Sequence, residues 1–253
     1  RPGEPVLEVA DLVVLDEREH PAVNGVSFQV HAGEIVGIAG VQGNGQTELV
    51  RAITGMRAPV AGSVKVAGDE VAGAKPRRVH KLGVAHVPED RLRHGLVTQF
   101  TVAENIVLDC YFARPYSRAG VMDWGKTREE ARRLVEQFDV RTPSVEVKAG
   151  NLSGGNQQKV IVAREFGRPD VALAIASQPT RGLDVGSIEY IHSQIVALRD
   201  RGAAILIVSS ELDEVMALSD RLLVMYRGKV VTELDPTKVT PAEVGLYMAG
   251  AKQ

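Results

Sequence analysis

The chain has 253 residues, of which 44% are hydrophobic and 25% charged, a profile typical of a soluble globular protein with a sizeable core. Its formal net charge of −2 argues against nucleic acid or an anionic membrane surface as a partner. The single cysteine, Cys110, excludes an internal disulfide bond. The chain opens with RPGEP and not with methionine, so we expect a piece of a longer protein.

Short β-branched runs alternate with helical patterns along the chain. The predicted strands, in chain order, cover residues 6–14, 26–33, 34–40, 63–68, 83–90, 171–176, 203–210, 221–228 and 229–234. The predicted helices cover residues 47–55, 126–140, 187–200 and 211–220. Between residues 102 and 151 the pattern becomes that of a helical insertion, and strand–helix alternation resumes after it. This alternation predicts a parallel sheet with helices on both faces.

A glycine-rich loop joins the third predicted strand to the first predicted helix. It consists of Gly40, Val41, Gln42, Gly43, Asn44, Gly45, Gln46 and Thr47. Glycines let successive backbone N–H groups turn toward a phosphate, and the helix N-terminus adds positive potential. In this frame Thr47 offers a hydroxyl to Mg²⁺. A strand-to-helix turn without any ligand is the alternative interpretation.

Gln46 stands where a phosphate-binding loop of this frame carries a lysine. A carboxamide donates a hydrogen bond but brings no charge, and charge-assisted hydrogen bonds are roughly twice as strong as neutral ones. The backbone of the loop is unchanged by the substitution. We therefore expect that phosphate binding survives only in part.

A second glycine motif precedes a helix after the insertion. It consists of Leu152, Ser153, Gly154, Gly155, Asn156 and Gln157, and taken alone Ser153 is a plausible N-cap. Residues 178–184 then read QPTRGLD at the end of a buried strand, and residues 208–214 read VSSELDE at the end of the next one. In this order and spacing, nearly the whole chain resembles the nucleotide-binding domain of ATP-binding cassette (ABC) transporters, of which LSGG is the signature.

The resemblance implies the fold class: α/β, a P-loop NTPase (RecA-like) core with an antiparallel β portion and an inserted helical subdomain. We expect a single domain over 1–253, with its core at about 1–96 and 166–253 and its helical subdomain at about 97–165. In the family two such domains pair head to tail. ATP and Mg²⁺ then lie between the glycine-rich loop of one domain and the signature of the other, beside an interface loop that is here Gly182, Leu183 and Asp184.

At the positions where the family carries catalytic, metal-binding and phosphate-binding side chains, this sequence has other residues. Ser177 and Gln178 replace an acidic pair that orients the metal shell and polarises the attacking water, and Gln46 replaces the lysine. Ser210 replaces the switch histidine, and Glu89 replaces a glutamine. No aromatic residue precedes position 28 to stack on adenine. Since general-base catalysis contributes about 10²–10⁴ in rate, we expect no catalytic residue in this domain's own, degenerate site.

The sequences of several segments are similar to those of the second cassette in the ATP-binding subunits of simple-sugar and nucleoside importers. These segments are VPEDR (87–91), SGGNQQK (153–159), QPTRGLDVG (178–186) and SSELDE (209–214). YSRAGVMDW (116–124), FDVRTPS (138–144) and GLYMAG (245–250) favour the nucleoside type. The resemblance then implies a second cassette fused N-terminal to this one, permease subunits, an indirect link to a solute-binding protein, and a peripheral position on the cytoplasmic face of the membrane.

The same resemblance implies a permease contact at Glu89, Asp90, Arg91 and Leu92. Two other functions stay open. In the first, the cassette hydrolyses ATP itself through displaced groups such as Glu89 and Glu211. In the second, it is a soluble cassette ATPase that acts on ribosomes or DNA. The net charge and the lack of a basic arm disfavour the last.

Overall fold

The computed structural model of the protein describes residues 3–252, which group into two compact units. The sheet unit contains the residues before Val87, Asp170–Gln178 and the residues from Ile195 onward. The helical unit contains Val87–Pro169 and Pro179–Gln194. The subdomain limits near 97 and 165 stay a prediction, and residues 1, 2 and 253 of the predicted domain lie outside the described residues.

Every predicted strand and helix has a counterpart in the structure, in the predicted chain order, and the structure adds short elements that the pattern did not predict. The strands are β1 (Pro5–Leu15), β2 (Pro21–His31), β3 (Ile35–Ala39), β4 (Ala61–Val66), β5 (Asp69–Glu70), β6 (Val84–Val87), β7 (Ser117–Arg118), β8 (Val121–Met122), β9 (Leu173–Ser177), β10 (Ala204–Ser209), β11 (Arg221–Tyr226) and β12 (Lys229–Leu234). The helices are α1 (Gln46–Ile53), α2 (Pro76–Lys81), α3 (Val102–Ile106), α4 (Trp124–Gln137), α5 (Gly154–Phe166), α6 (Val185–Asp200), α7 (Leu212–Leu218) and α8 (Pro241–Met248). A π-helical turn covers Arg91–Gly95 and a 3₁₀ turn covers Ala149–Asn151.

A six-stranded sheet in the order β12-β11-β3-β10-β9-β6 forms the centre of the fold. Strands β11, β3, β10 and β9 run parallel to one another, whereas β12 pairs antiparallel with β11, and every residue of β3, β10 and β9 is buried. Strands that are covered on both faces read as continuous apolar runs, which is why the sequence marks them clearly. In the register of these strands Ser209 lies opposite Ala39, and Val208 lies opposite Ser177. The loops after β3, β9 and β10 therefore leave the sheet at the same edge, where α/β sheets bind ligands.

A second, antiparallel sheet in the order β2-β1-β4-β5 packs into the same hydrophobic core. Leu7 and Leu12 of β1 and Val26 of β2 are fully or almost fully buried in that core, together with Leu49 and Ile53 of α1. This sheet is the antiparallel β portion that the resemblance implied. Helix α1 contributes one apolar face to the core and begins where the glycine-rich loop ends.

The helical unit differs from the predicted pattern in two places. The predicted strand over 83–90 is too long: the structure ends it at Val87, because Pro88 has no N–H for a ladder and Asp90 caps the π-helical turn. The predicted helical insertion also contains the hairpin β7–β8. Ala119 and Gly120 connect its strands with φ of 51° and 82°, the positive values that a tight hairpin turn requires. Within residues 3–252, no helix combines the length and the hydropathy of a membrane span.

Candidate nucleotide site and signature loop

The glycine-rich loop passes directly into α1 at a position where only glycine fits. Gly45 has a φ of 101°, and a Cβ added there would collide with the carbonyl oxygen of Ala22. Gly45 is the N-cap position of α1, and no side chain caps the helix there. Thr47 lies in the first turn of α1, and the aligned backbone dipoles of the helix give this end of the loop a partial positive charge.

The side chain of Gln46 closes the glycine-rich loop on itself. Its Oε1 accepts a hydrogen bond from the backbone N–H of Asn44 at 3.0 Å, and its Nε2 donates to the carbonyl oxygen of Val41 at 3.1 Å. It is only 9% exposed, and a Cβ on Gly40 would lie 2.5 Å from its Nε2. One backbone N–H that a phosphate-binding loop offers to its ligand is thus already occupied by the carboxamide.

Asn44 anchors the loop to the turn between β11 and β12. Its Nδ2 donates to the carbonyl oxygen of Val41 at 2.8 Å, and its Oδ1 accepts from the backbone N–H of Arg227 at 2.7 Å. Its carbonyl oxygen accepts from the N–H of Gly228 at 3.0 Å. Sequence motifs did not indicate Arg227 or Gly228 as part of the site. The available signal was the tight turn that a glycine predicts between the runs 221–226 and 229–234.

Gln178 is tied to the end of β10. Its Oε1 accepts from the backbone N–H and from the Oγ of Ser210, both at 3.2 Å, and lies 3.4 Å from the Oγ of Ser209. Its own N–H donates to the carbonyl oxygen of Val208 at 2.7 Å, and its φ is 47°, a conformation uncommon outside glycine. The two substituted positions 178 and 210 are therefore bonded to each other. A carboxamide has no basic group with which to activate a water, and here its oxygen also accepts hydrogen bonds from the protein.

The side chains at this edge suit Mg²⁺ poorly. Mg²⁺ prefers carboxylate and phosphate oxygens in a near-ideal octahedron. The positions beside Thr47 in the predicted site carry the neutral groups of Ser177, Gln178 and Ser210, and residues 3–252 contain no group of three or more acidic, His or Cys side chains that could hold a metal ion. The Oγ of Ser177 is buried and makes no hydrogen bond within that part of the chain. No carboxylate of these positions would thus hold the ion.

The signature loop, Leu152–Gln157, lies in the helical unit and begins α5. Ser153 is the N-cap of the helix: its Oγ accepts from the N–H of Asn156 at 3.4 Å and from the Nδ2 of that residue at 3.0 Å. Its side chain is exposed. A Cβ on Gly155 would collide with the hydroxyl of Ser187 and lie 3.2 Å from Asp184 Oδ2. The second signature glycine thus lets α5 pack closely against the start of α6.

The interface loop, Gly182–Asp184, is fixed by its own cap. Asp184 accepts from the N–H of Ser187 at 3.0 Å and from its Oγ at 2.7 Å, and these hydrogen bonds hold the pKa of the carboxyl below its usual range. Just before the loop, Gln158 Nε2 of the signature helix donates to the carbonyl oxygen of Pro179 at 2.7 Å. The structure thus brings the signature loop and the interface loop together within one unit.

The four predicted permease-contact residues form the permease segment, Glu89–Leu92. Asp90 accepts from the N–H groups of Arg93 and Leu92 at 3.0 and 3.1 Å, which lowers the pKa of its carboxyl. Glu89 pairs with Arg181 at 3.3 Å. Leu92 is 52% exposed and presents its apolar side chain at the surface of this turn.

The protein matches the family model described as "ABC transporter" over residues 23–174, more than half of its length. The chain belongs to the ABC transporter family. It is 46% identical over 254 residues to the guanosine import ATP-binding protein NupO of Bacillus subtilis (strain 168), covering 100% of this chain and 49% of that protein. It is 49% identical over 251 residues to the nucleoside import ATP-binding protein NupA of Lactococcus lactis subsp. cremoris (strain MG1363), covering 99% of this chain and 49% of that protein. The chain thus spans about half the length of the curated relatives it matches.

Solved structures show the same fold for this ABC transporter family chain. A nucleotide-free ATP-binding cassette from an ABC transporter superposes with a TM-score of 0.81 at 24% identity, covering 96% of this chain and 99% of the other. The ADP conformation of the cassette MJ1267 superposes with a TM-score of 0.76 at 23% identity, covering 97% and 95%. These likenesses confirm the predicted fold class. The roles of the individual site residues stay predictions.

Proposed function

We propose that this chain is a cassette of an importer for nucleosides or simple sugars, and that it completes the ATP site of a partner cassette while its own site is degenerate. The proposal rests on the hydrogen bonding of two glutamine side chains. Gln46 and Gln178 stand at the lysine and glutamate positions, and both carboxamides are hydrogen-bonded to their own surroundings. The signature loop, in contrast, keeps an exposed Ser153 at the start of a helix.

The signature loop supports binding of a phosphate that a partner holds. A serine hydroxyl accepts and donates at once, so Ser153 can cap α5 through Asn156 and still donate its proton to a phosphate oxygen. The N–H groups of the first turn of α5 add hydrogen bonds and positive potential to the same point. Donors placed where charge develops during phosphoryl transfer stabilise that charge. Capping and catalysis by Ser153 are therefore compatible.

The chain's own site supports at most weak nucleotide binding. ATP would meet the remaining backbone N–H groups of the glycine-rich loop, and Thr47 would be the Mg²⁺ ligand among neutral neighbours. Of the displaced acids, Glu89 offers little for hydrolysis because it pairs with Arg181 in the helical unit. We therefore assign no catalytic residue to this site.

The partners follow from the relatives and from the share of their length that this chain spans. The relatives described above are named as guanosine and nucleoside import ATP-binding proteins, and others are named for ribose or arabinose import. A chain that spans half of such proteins is consistent with a second cassette fused N-terminal to it. We propose permease subunits as direct partners at the cytoplasmic face of the membrane, a solute-binding protein as an indirect partner, and no nucleic acid.

Variants of the full-length protein test this division of labour. Gly154→Asp places a side chain at the signature loop, and Thr47→Ala removes the hydroxyl from this chain's own site. We expect ATP turnover to fall by at least about 10²-fold in Gly154→Asp and by less than about threefold in Thr47→Ala. If instead Gly154→Asp turns over ATP normally while Thr47→Ala does not, this cassette hydrolyses ATP in its own site and the proposal is wrong.

A further inference from the structure

Arg91 begins the π-helical turn of the helical unit and is half-buried. Its Nη1 donates to the carbonyl oxygen of Arg181 at 3.1 Å, and its Nε lies 3.4 Å from Oε1 of Gln157. A Cβ on Gly154 would lie 2.8 Å from its Nη2. Two guanidinium nitrogens therefore bond different groups, and the third occupies the space that a side chain at position 154 would need. Gln157 and Gly154 belong to the signature loop, and Arg181 directly precedes the interface loop.

The far end of the turn is held against the same helix. The carbonyl oxygen of Gly95 accepts from Nη1 of Arg164 at 2.9 Å, and a Cβ on Gly95 would lie 2.5 Å from Cδ1 of Ile161. Ile161 and Arg164 are fully and largely buried in α5, respectively. The turn Arg91–Gly95 is thus fixed to α5 at both of its ends. Because a close-packed contact transmits displacement, a force on the turn moves the start of the signature helix.

The signature loop and the interface loop are also joined independently of Arg91. Gln158 bonds the carbonyl oxygen of Pro179, and Gly155 packs against Ser187 and Asp184. Lys159 adds a contact from α5 to α6, since its Nζ lies 4.2 Å from the ring centroid of Tyr190. What Arg91 adds is the connection between this preformed pair of loops and the permease segment.

We propose that Arg91 is a positioning residue that couples the permease segment to the signature loop and the interface loop. The proposal rests on the proposed function for the nature of the partner that contacts the segment. The planar guanidinium suits this task because it presents several donors in one fixed fork, whereas a lysine ammonium is a single point on a flexible stem. Arg91→Lys is therefore the sharpest variant: it keeps the charge and most of the stem, but it cannot bond Gln157 and Arg181 together.

Amide hydrogen exchange in the full-length protein tests the coupling without ATP turnover. We expect Arg91→Lys and Arg91→Ala to speed exchange of residues 152–157 and 181–184 by about tenfold, since local openings report local stability. Arg93→Ala is the matched control: Arg93 is exposed on the same turn, and its exchange pattern should equal that of the wild type. If Arg91→Ala speeds exchange throughout the helical unit, the variant has lost its fold and Arg91→Lys decides. Unchanged exchange of both loops in Arg91→Lys overturns the proposal.

The complex with the permease separates coupling from docking. We expect Leu92→Asp to abolish co-purification of the permease, because it places a charge on the exposed apolar side chain of the segment. Arg91→Lys should retain co-purification but lose about tenfold of the permease-stimulated ATPase rate. Loss of co-purification in Arg91→Lys would make Arg91 a docking contact only and would overturn the proposal. Failure of the proposed function would show instead in the comparison of Gly154→Asp with Thr47→Ala, and the exchange result does not depend on it.

Discussion

Gln46 and Gln178 both use their carboxamides within the protein. A phosphate that enters the glycine-rich loop competes with Gln46 Oε1 for the N–H of Asn44, which lies 3.0 Å away. A hydrogen bond of this kind contributes about 0.5–1.5 kcal/mol net. We therefore expect the glutamine to weaken nucleotide binding in two ways, by the absence of a charge and by an internal competitor for one N–H group.

Replacement of Gln46 separates these two effects. Gln46→Ala frees the N–H of Asn44 without adding charge, and Gln46→Lys does both. We expect ATP affinity, measured by calorimetry on the chain, to rise by about threefold in Gln46→Ala and by about tenfold or more in Gln46→Lys. ATP and GTP should bind alike in all three proteins, because no aromatic residue precedes position 28. Equal affinities of Gln46→Lys and Gln46→Ala would show that charge at this position is not what the site lacks.

Glu34 gives the sheet unit a pH-dependent contribution to stability. This carboxyl is 2% exposed. Burial alone raises its pKa, but hydrogen bonds from the N–H and Nδ1 of His31 and from Nη1 of Arg221, each at 2.9 Å, outweigh burial and hold the pKa below 4.5. A depressed pKa in the folded state contributes stability above the unfolded value, and that contribution is lost as the pH falls through the folded pKa.

We therefore expect Glu34→Gln to flatten the fall in the free energy of unfolding below pH 4.5. Urea unfolding between about pH 3 and pH 6 measures this. Glu17→Gln is the control, since the side chain of Glu17 is 86% exposed. Parallel curves for the wild type and Glu34→Gln would contradict the prediction.

Helix α5 is the element on which the proposed function depends. Its first turn carries the signature loop, and its two glycines face different neighbours: Gly154 faces Arg91, and Gly155 faces Ser187 and Asp184. The helix is buried along most of its length, including the polar Gln157, Gln158 and Lys159. A helix held on all sides presents its N-terminus in one defined position. That is the requirement for donors that must meet a phosphate on another domain.

Ser153→Ala distinguishes a cap from a catalytic contact. Loss of an N-cap costs about 1 kcal/mol of stability. Thr101→Ala is the matched control: Thr101 caps α3 of the same unit in a capping box and has no place in the proposed interface. We expect both variants to lose similar free energy of unfolding, but only Ser153→Ala to lose about tenfold or more of the full-length protein's ATPase rate. Equal rates would leave Ser153 as a cap alone.

The sequence predicted those elements that burial determines and missed the bounds that single side chains determine. Strands β3, β9 and β10 follow from apolar runs, because a parallel strand covered on both faces tolerates few polar residues. The helix predicted over 126–140 in fact covers Trp124–Gln137: Asp123 caps it, and Asp139 leaves the helix with a φ of 47°. The periodicity of apolar residues does not indicate at which residue the helix begins or ends.

The same distinction holds at the candidate site. Motif order placed Gln46, Ser177, Gln178 and Ser210 after strands that prove to be neighbours, so their common position at one sheet edge was accessible from sequence. The hydrogen bonds of the two carboxamides were not, because they depend on the path of each loop and on side-chain torsions. The hydrogen bonds of Arg91 were missed for the same reason, since a charged triplet in a turn is typical of solvated surface.

Across the whole chain, four of the five substituted positions lie in one unit. The altered groups at 46, 177, 178 and 210 lie in the sheet unit, whereas Glu89, the signature loop and the interface loop lie in the helical unit. Groups that act together in catalysis lose their effect together, so single losses and single restorations are strongly non-additive. Under the proposed function, the sheet unit supplies a scaffold and the helical unit supplies the contact to the partner's nucleotide.

The chain alone should have no significant ATPase activity, and Gln178→Glu should not restore it. The single restored carboxylate lacks the lysine, the metal-shell carboxylate and the switch histidine, which act with it as a unit. Phosphate release from carefully purified chain measures this, with a Thr47→Ala preparation as the background for contaminating ATPases. Turnover of the wild type well above that background would contradict the prediction, and so would rescue by Gln178→Glu.

Under the proposed function, the self-closed glycine-rich loop affects how many ATP molecules one transport cycle consumes. The bonds of Gln46 and Asn44 hold the loop in shape through groups of the chain itself. A loop held by its own side chains does not need a nucleotide to keep its shape, so under the proposed function we expect it to respond little to the presence of ATP. Under the proposed division of labour, only the partner's site responds to the cell's ratio of ATP to ADP. The pair of cassettes then hydrolyses one ATP each time the two cassettes associate. The number of solute molecules imported per ATP is therefore determined by one nucleotide site.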